Sequence, residues 1–178
     1  MDFNKLTIKS QEAIAAAQEL ARRRGNPEIV PAHLTLALLD QELPLTLLGA
    51  HAAQVRADAE AELARLPSIQ GAQQQPQAAR QFSRVLDAAE DEMRKLEDEY
   101  ISTEHLLLGL DLVPRDELLA RLRDVRGSQR VTSQDPEGSY QALEKFGRDL
   151  TDLAESGKLD PVVAVSYTHL TLPTILRV

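Results

Sequence analysis

The feature that most constrains this chain is an ungapped internal repeat. A shift of 72 residues lays His33 on His105, Ile14 on Leu86 and Ala17 on Ala89. It also pairs Ile29 with Ile101, Leu34 with Leu106, Leu36 with Leu108 and Ala37 with Gly109. Pro31 then falls on Thr103, so Val30 and Ser102 both stand at a helix N-cap. Two independent helix-start signals agreeing on one register imply a duplicated helical unit whose copies pack against each other.

Helical spacing sets the elements inside each copy. In the first, an amphipathic helix is expected over 6–24, with Thr7 as a possible N-cap and Gly25-Asn26-Pro27 as its stop. Further helices are expected over 31–40, 44–50 and 54–66, the last closed by Pro67. The second copy repeats the long helix over 81–99, with Phe82, Val85, Leu86, Ala89, Met93 and Leu96 on one face. A capped apolar helix follows over 102–110. Only one more helix, carrying Leu118, Leu119, Leu122 and Val125, fits before Arg126, so the second copy is one helix short.

The expected organisation is therefore a repeat domain over 1–126: first repeat 1–67, polar linker 68–77 and shortened second repeat 78–126. The fold class is all-α, two pseudo-repeated helical bundles followed by a linker helix. That helix is expected over 140–155, after a polar, extended stretch from 128 to 138, and residues 127–178 are expected to stay poorly protected. Aromatic residues make up 3% of the chain and Trp is absent, so the core is one of Leu, Ala, Val and Ile.

Charge and composition exclude several function classes. A formal charge of −8 lacks the concentrated Lys/Arg surface that nucleic acid requires. There are no cysteines, hence no disulfide or thiol chemistry. No run reaches the roughly 18 apolar residues of a membrane span, and the first residues lack the apolar stretch of a signal peptide, so a cytoplasmic monomer is expected.

Catalytic constellations are missing as well. The lone Gly-Lys, Gly157-Lys158, is followed by Leu159, with Asp152 where a phosphate-binding loop needs its first Gly. None of His33, His51, His105 and His169 has a partner at metal-ligand spacing, and His33 and His105 read as structural positions near helix starts. No strained Gly-x-Ser-x-Gly elbow occurs. The carboxylates of 90–92 and 97–99 interleave with Arg94 and Lys95 and read as a solvated face. Neither an enzyme nor a cofactor or metal site is expected in this chain.

Ile101-Ser102-Thr103-Glu104-His105-Leu106-Leu107-Leu108-Gly109-Leu110 resembles the Clp amino-terminal repeat, and residues 126–162 resemble the linker of ClpB-type disaggregases. The likeness covers residues 1 to about 163, short of the AAA+ ATPase module that follows in that family. Residues 166–174 resemble translated sequencing-adapter read-through, and 164–178 are expected to be foreign to the fold. The resemblance implies a domain that binds unfolded or aggregated polypeptide clients. Its parent would be an ATP-dependent homohexamer working with other chaperones in stress recovery and refolding. By matching positions, Thr7 and Glu104 are candidates for client binding, with Leu86 and His105 beside them. For Thr7 and Glu104 a helix-cap role is the alternative, and for Leu86 a plain core position. The rival function is a stand-alone helical adaptor that docks a specific partner.

Overall fold

Thr7 decides where the first helix begins. Its Oγ1 accepts from the Ser10 amide at 3.3 Å, closing one of the amides a helix start leaves open. The computed structural model describes residues 3–68, 75–127 and 129–136. In it α1 spans Ile8–Arg24, and Leu6 belongs instead to a parallel bridge with Ile101. Gly25, at φ 69°, turns the chain out of α1; the Gly25 amide donates to Arg22 O and the Asn26 amide to Ala21 O.

The strand β1 (Glu28–Ile29) leads into α2 (Pro31–Leu39). Every α2 residue from Ala32 to Leu39 is buried, as expected of a helix apolar on all sides. α3 (Glu42–Leu48) begins two residues before the expected Pro44, because Glu42 and Leu43 fill the first turn that Pro44 can join without its amide. A 3-10 turn over Gly49–His51 then feeds α4 (Ala52–Ala64), which lies along α2.

The second copy starts with the strand β2 (Gln77–Ala78) and α5 (Arg80–Lys95). α5 stops short of the expected Glu99. Glu97 takes the left-handed φ of 57°, and the Asp98 amide donates back to Met93 O at 3.0 Å. This is the turn Gly25 makes in the first copy, built here without glycine. α6 (Thr103–Leu110) crosses α5 closely: a Cβ on Gly109 would lie 2.6 Å from Val85 O and 2.9 Å from Ala89 N. α7 (Arg115–Arg126) follows after a short link and begins where the 72-residue shift places α3, so among the described residues α4 is the helix without a counterpart.

The copies are interlocked rather than strung side by side. β1 pairs with β2 in parallel, Glu28 with Gln77 and Ile29 with Ala78. The bridge of Leu6 with Ile101 is the same pairing with the copies exchanged. Accordingly, the Thr7 amide donates to Ile101 O and the Ala79 amide to Ile29 O, each at 3.0 Å. Each first helix packs mainly on the second helix of its own copy. The crossed strand pairs tie the segment before each first helix to the segment before the other copy's second helix, around a shared core that includes Leu6, Leu34, Leu38, Leu47, Ile101 and Leu106.

The stretch after α7 departs from expectation. Residues 129–135 are tied down as a strap: Val131 is fully buried, and its carbonyl accepts from the Glu99 amide at 3.0 Å. Gln134 O accepts from the Ile8 amide at 2.8 Å, one of the open amides at the start of α1. Composition marked this stretch as polar but could not foresee these backbone partners. The helix expected over 140–155 and the tail 164–178 lie outside the described residues.

Candidate functional site

Asp98 and His105 anchor a buried polar node at the start of α6. The Ser102 amide donates to His105 Nδ1 at 2.9 Å, so the ring's Nε2 carries the proton and donates to Asp98 Oδ2 at 3.1 Å. Arg126, the last residue of α7, grips Asp98 in a two-pronged pair: Nη2 to Oδ1 at 2.9 Å and Nη1 to Oδ2 at 2.8 Å. Nη1 also reaches Glu104 Oε1 at 3.3 Å, and the Val131 amide of the strap donates to Asp98 Oδ1 at 2.8 Å. Burial on its own would raise the Asp98 carboxyl, but the bonds from His105, Arg126 and Val131 outweigh it and hold the group below its ordinary value.

The first copy contains the neutral version of this node. Asn26 Oδ1 accepts from His33 Nε2 at 3.1 Å, while the Val30 amide donates to His33 Nδ1. The Asn26 amide group donates onward to Pro67 O at 3.0 Å. Burial pushes the His33 pKa down, so this imidazole stays neutral. Both histidines occupy the third position of their helices and serve as acceptors for the cap amide.

Of the four candidate site residues, three lie in the interior. Thr7, Glu104 and His105 each have 0% exposure. Thr7 caps α1, Glu104 faces Arg126, and His105 belongs to the node, so none presents a side chain to solvent in this conformation. Leu86 alone is half-buried, packed against the core from the outer side of α5. Two carboxylates read as solvated are also inside: Asp98, and Glu92, which takes Lys95 at 2.6 Å and Arg115 at 2.7 Å. Burial raises the Glu92 carboxyl, and those two cations bring it below its usual range. The pairing of Asn26 with Asp98 under the 72-residue shift was the available signal for the node.

The solvent-facing apolar surface lies elsewhere, and the repeat explains it. Leu36 and Leu38 on α2 are 6% and 0% exposed, under α3 and α4. The same repeat positions on α6, Leu108 and Leu110, are only half-buried, because α7 touches α6 lightly where α4 lies along α2. Leu112 and Val113 in the link are half-buried as well. Gly109 rests on the α5 backbone at Val85 and Ala89, the turn that carries Leu86. A cluster of half-covered aliphatic side chains therefore gathers where α5 crosses the end of α6. Among the described residues no group of three His, Asp or Glu could hold a metal, and no helix is long and apolar enough to cross a membrane.

The model of the Clp repeat (R) N-terminal domain matches residues 5–123. The chain belongs to this Clp repeat family. Chaperone protein ClpB of Mycobacterium tuberculosis (strain H37Rv) is 44% identical over 181 residues, covering 92% of this chain and 21% of the relative. Chaperone protein ClpB 1 of Synechococcus elongatus is 39% identical, covering 90% and 20% respectively. This Clp repeat chain thus spans about a fifth of the length of the curated relatives it matches. The Hsp104 N-terminal domain from Candida albicans superposes with a TM-score of 0.64 at 23% identity, over 74% of this chain and 97% of that one. The N-terminal domain of the ClpV1 ATPase from E. coli gives 0.54 at 26% identity, over 80% and 85%. The likeness to the Hsp104 domain shows the fold, all-α and built of helical bundles as the repeat implied.

Proposed function

We propose that this Clp repeat domain binds unfolded or aggregated polypeptide clients for a ClpB-type disaggregase, through the apolar surface at the end of α6. One observation carries the reading: Leu108 and Leu110 are left half-exposed at positions whose counterparts, Leu36 and Leu38, are buried. Aliphatic side chains attract other apolar segments without direction or sequence preference, which suits a client that must be held and passed on. Leu86 belongs to that surface, whereas Thr7, Glu104 and His105 act from within by setting how α1 and α6 start. Nucleotide hydrolysis is assigned to other parts of a longer, hexameric, cytoplasmic parent that cooperates with further chaperones. This chain is assigned binding only.

Titration with a permanently unfolded, fluorescent polypeptide tests the proposal. Binding is expected with dissociation constants of roughly 10–1,000 micromolar, as for small non-obligate contacts. It should change little with salt, being apolar in origin. Leu110→Ser and Leu112→Ser should each weaken it several-fold, while Val125→Ser, at an exposed apolar position on α7, should not. Thermal melts identify any variant whose loss comes from unfolding; Leu112 lies in a non-helical link, where substitution perturbs the fold least. Unchanged affinity in both melted-normal variants overturns the surface. Strong weakening by salt, with preference for one folded partner, would favour the adaptor reading instead.

A further inference from the structure

We propose a second binding site, for the free carboxyl end of a polypeptide whose last residue is apolar, in the cleft between α5, α7 and the strap. The cleft measures about 210 Å³ and has an aliphatic floor of Leu96, Leu119 and Leu122. Arg123, Arg126 and Arg130 line it, with Gly127 and Gln129 completing the strap side. In a chain of net charge −8 this is a local concentration of guanidinium groups.

The three arginines are not equivalent. Arg126 is neutralised by Asp98 and Glu104 and contributes shape. Arg130 pairs with Glu97 on the exposed side. Arg123 makes no ion pair among the described residues, so it is the cation left for an incoming anion. It stands in the last turn of α7, exposed, one turn beyond Leu119. Side chains four apart on a helix are neighbours, with Cβ atoms roughly 5–6 Å apart. The matching ligand therefore carries an apolar group and a carboxylate on adjacent positions, and a terminal residue carries both on one carbon.

Size argues the same way. A cleft of about 210 Å³ is on the scale of one aliphatic side chain rather than of a strand passing through. An internal Asp or Glu would have to bring flanking backbone into that space. A chain end leaves its backbone on the solvent side and offers a planar carboxylate, which guanidinium binds in a two-pronged geometry. The site lies apart from the α6 surface and stands whether or not that surface holds clients.

The test is anisotropy titration of the full chain with a fluorescein-labelled peptide Gly-Ser-Gly-Ser-Leu bearing a free carboxylate. The same peptide ending in an amide, and one ending in Ser, are the comparison ligands. The free-carboxylate Leu peptide should bind roughly tenfold more tightly than the amide, since the amide loses the charge-assisted bonds. Arg123→Gln should abolish that difference while Arg123→Lys retains part of it; Arg123 is exposed, so neither variant should alter the melt. Added salt should narrow the difference, because a rim pair is screened. Leu110→Ser, which probes the α6 surface, should leave the peptide affinity unchanged. Equal affinity for acid and amide, unchanged affinity in Arg123→Gln, or no binding of any peptide would each overturn the site.

Discussion

Asp98 Oδ2 lies 3.1 Å from His105 Nε2, and both side chains are wholly shielded from solvent. Seventy-two residues earlier, Asn26 and His33 make the same contact at the same distance without a charge. The duplication has thus kept one geometry and given it two electrostatic forms. The charged form also gathers Arg126 and the strap amide of Val131, so one carboxylate joins α6, α7 and the segment that follows them.

Asp98→Asn converts the second node to the chemistry of the first. It keeps one acceptor oxygen, which can serve His105 or Val131 but not both, turns an amide NH2 toward the other donor, and leaves Arg126 with Glu104 alone. The expected cost is about 2–5 kcal/mol near neutral pH, between a lost charged hydrogen bond and a broken buried pair. The pH dependence carries a sign. Asp98 has a folded pKa below its ordinary 3.8, so its contribution is complete above that value and is lost as pH falls through the folded pKa. The gap between wild type and variant should be widest near pH 7 and close below pH 3.8. Urea titrations across that range measure it, and a gap independent of pH would refute the assignment.

Gly109→Ala places a methyl group 2.6 Å from Val85 O and 2.9 Å from Ala89 N. Both neighbours are helix backbone, which yields far less readily than the end of a side chain. Helix propensity favours Ala over Gly by roughly 1 kcal/mol, so a propensity argument alone predicts stabilisation. The close crossing of α5 and α6 should win, with a net loss of about 1–3 kcal/mol from overpacking. Differential scanning calorimetry decides the sign. A raised melting temperature would mean that the two helices separate freely.

Ala79→Ser supplies a cap that the second copy lacks. Ala79 stands at the N-cap of α5 with extended φ and ψ of −64° and 152°, and its side chain makes no bond there. Thr7 at the same repeat position, with nearly the same φ of −65°, closes the Ser10 amide. A serine hydroxyl should do the same for α5, gaining about 1 kcal/mol and raising Tm by roughly 2–4 °C. An unchanged melt would show that the Phe82 amide cannot be reached from position 79.

The sequence by itself determined the helical class, the duplication and most helix limits. Those depend on local chemistry: apolar spacing, the Thr7 cap, Pro31 in a first turn, Gly25 after a last one. It also revealed that the second copy is a helix short. Tertiary structure alone decided what that shortage does. Leu108 and Leu110 read as core because Leu36 and Leu38 share their pattern, and only the absence of a covering helix turns them toward solvent. The same holds for Asp98, an acid in an acidic run whose burial depends on Arg126 and on a strap amide 33 residues away. Local spacing records which face of a helix is apolar, whereas coverage of that face depends on segments distant in the chain, and no short window contains them.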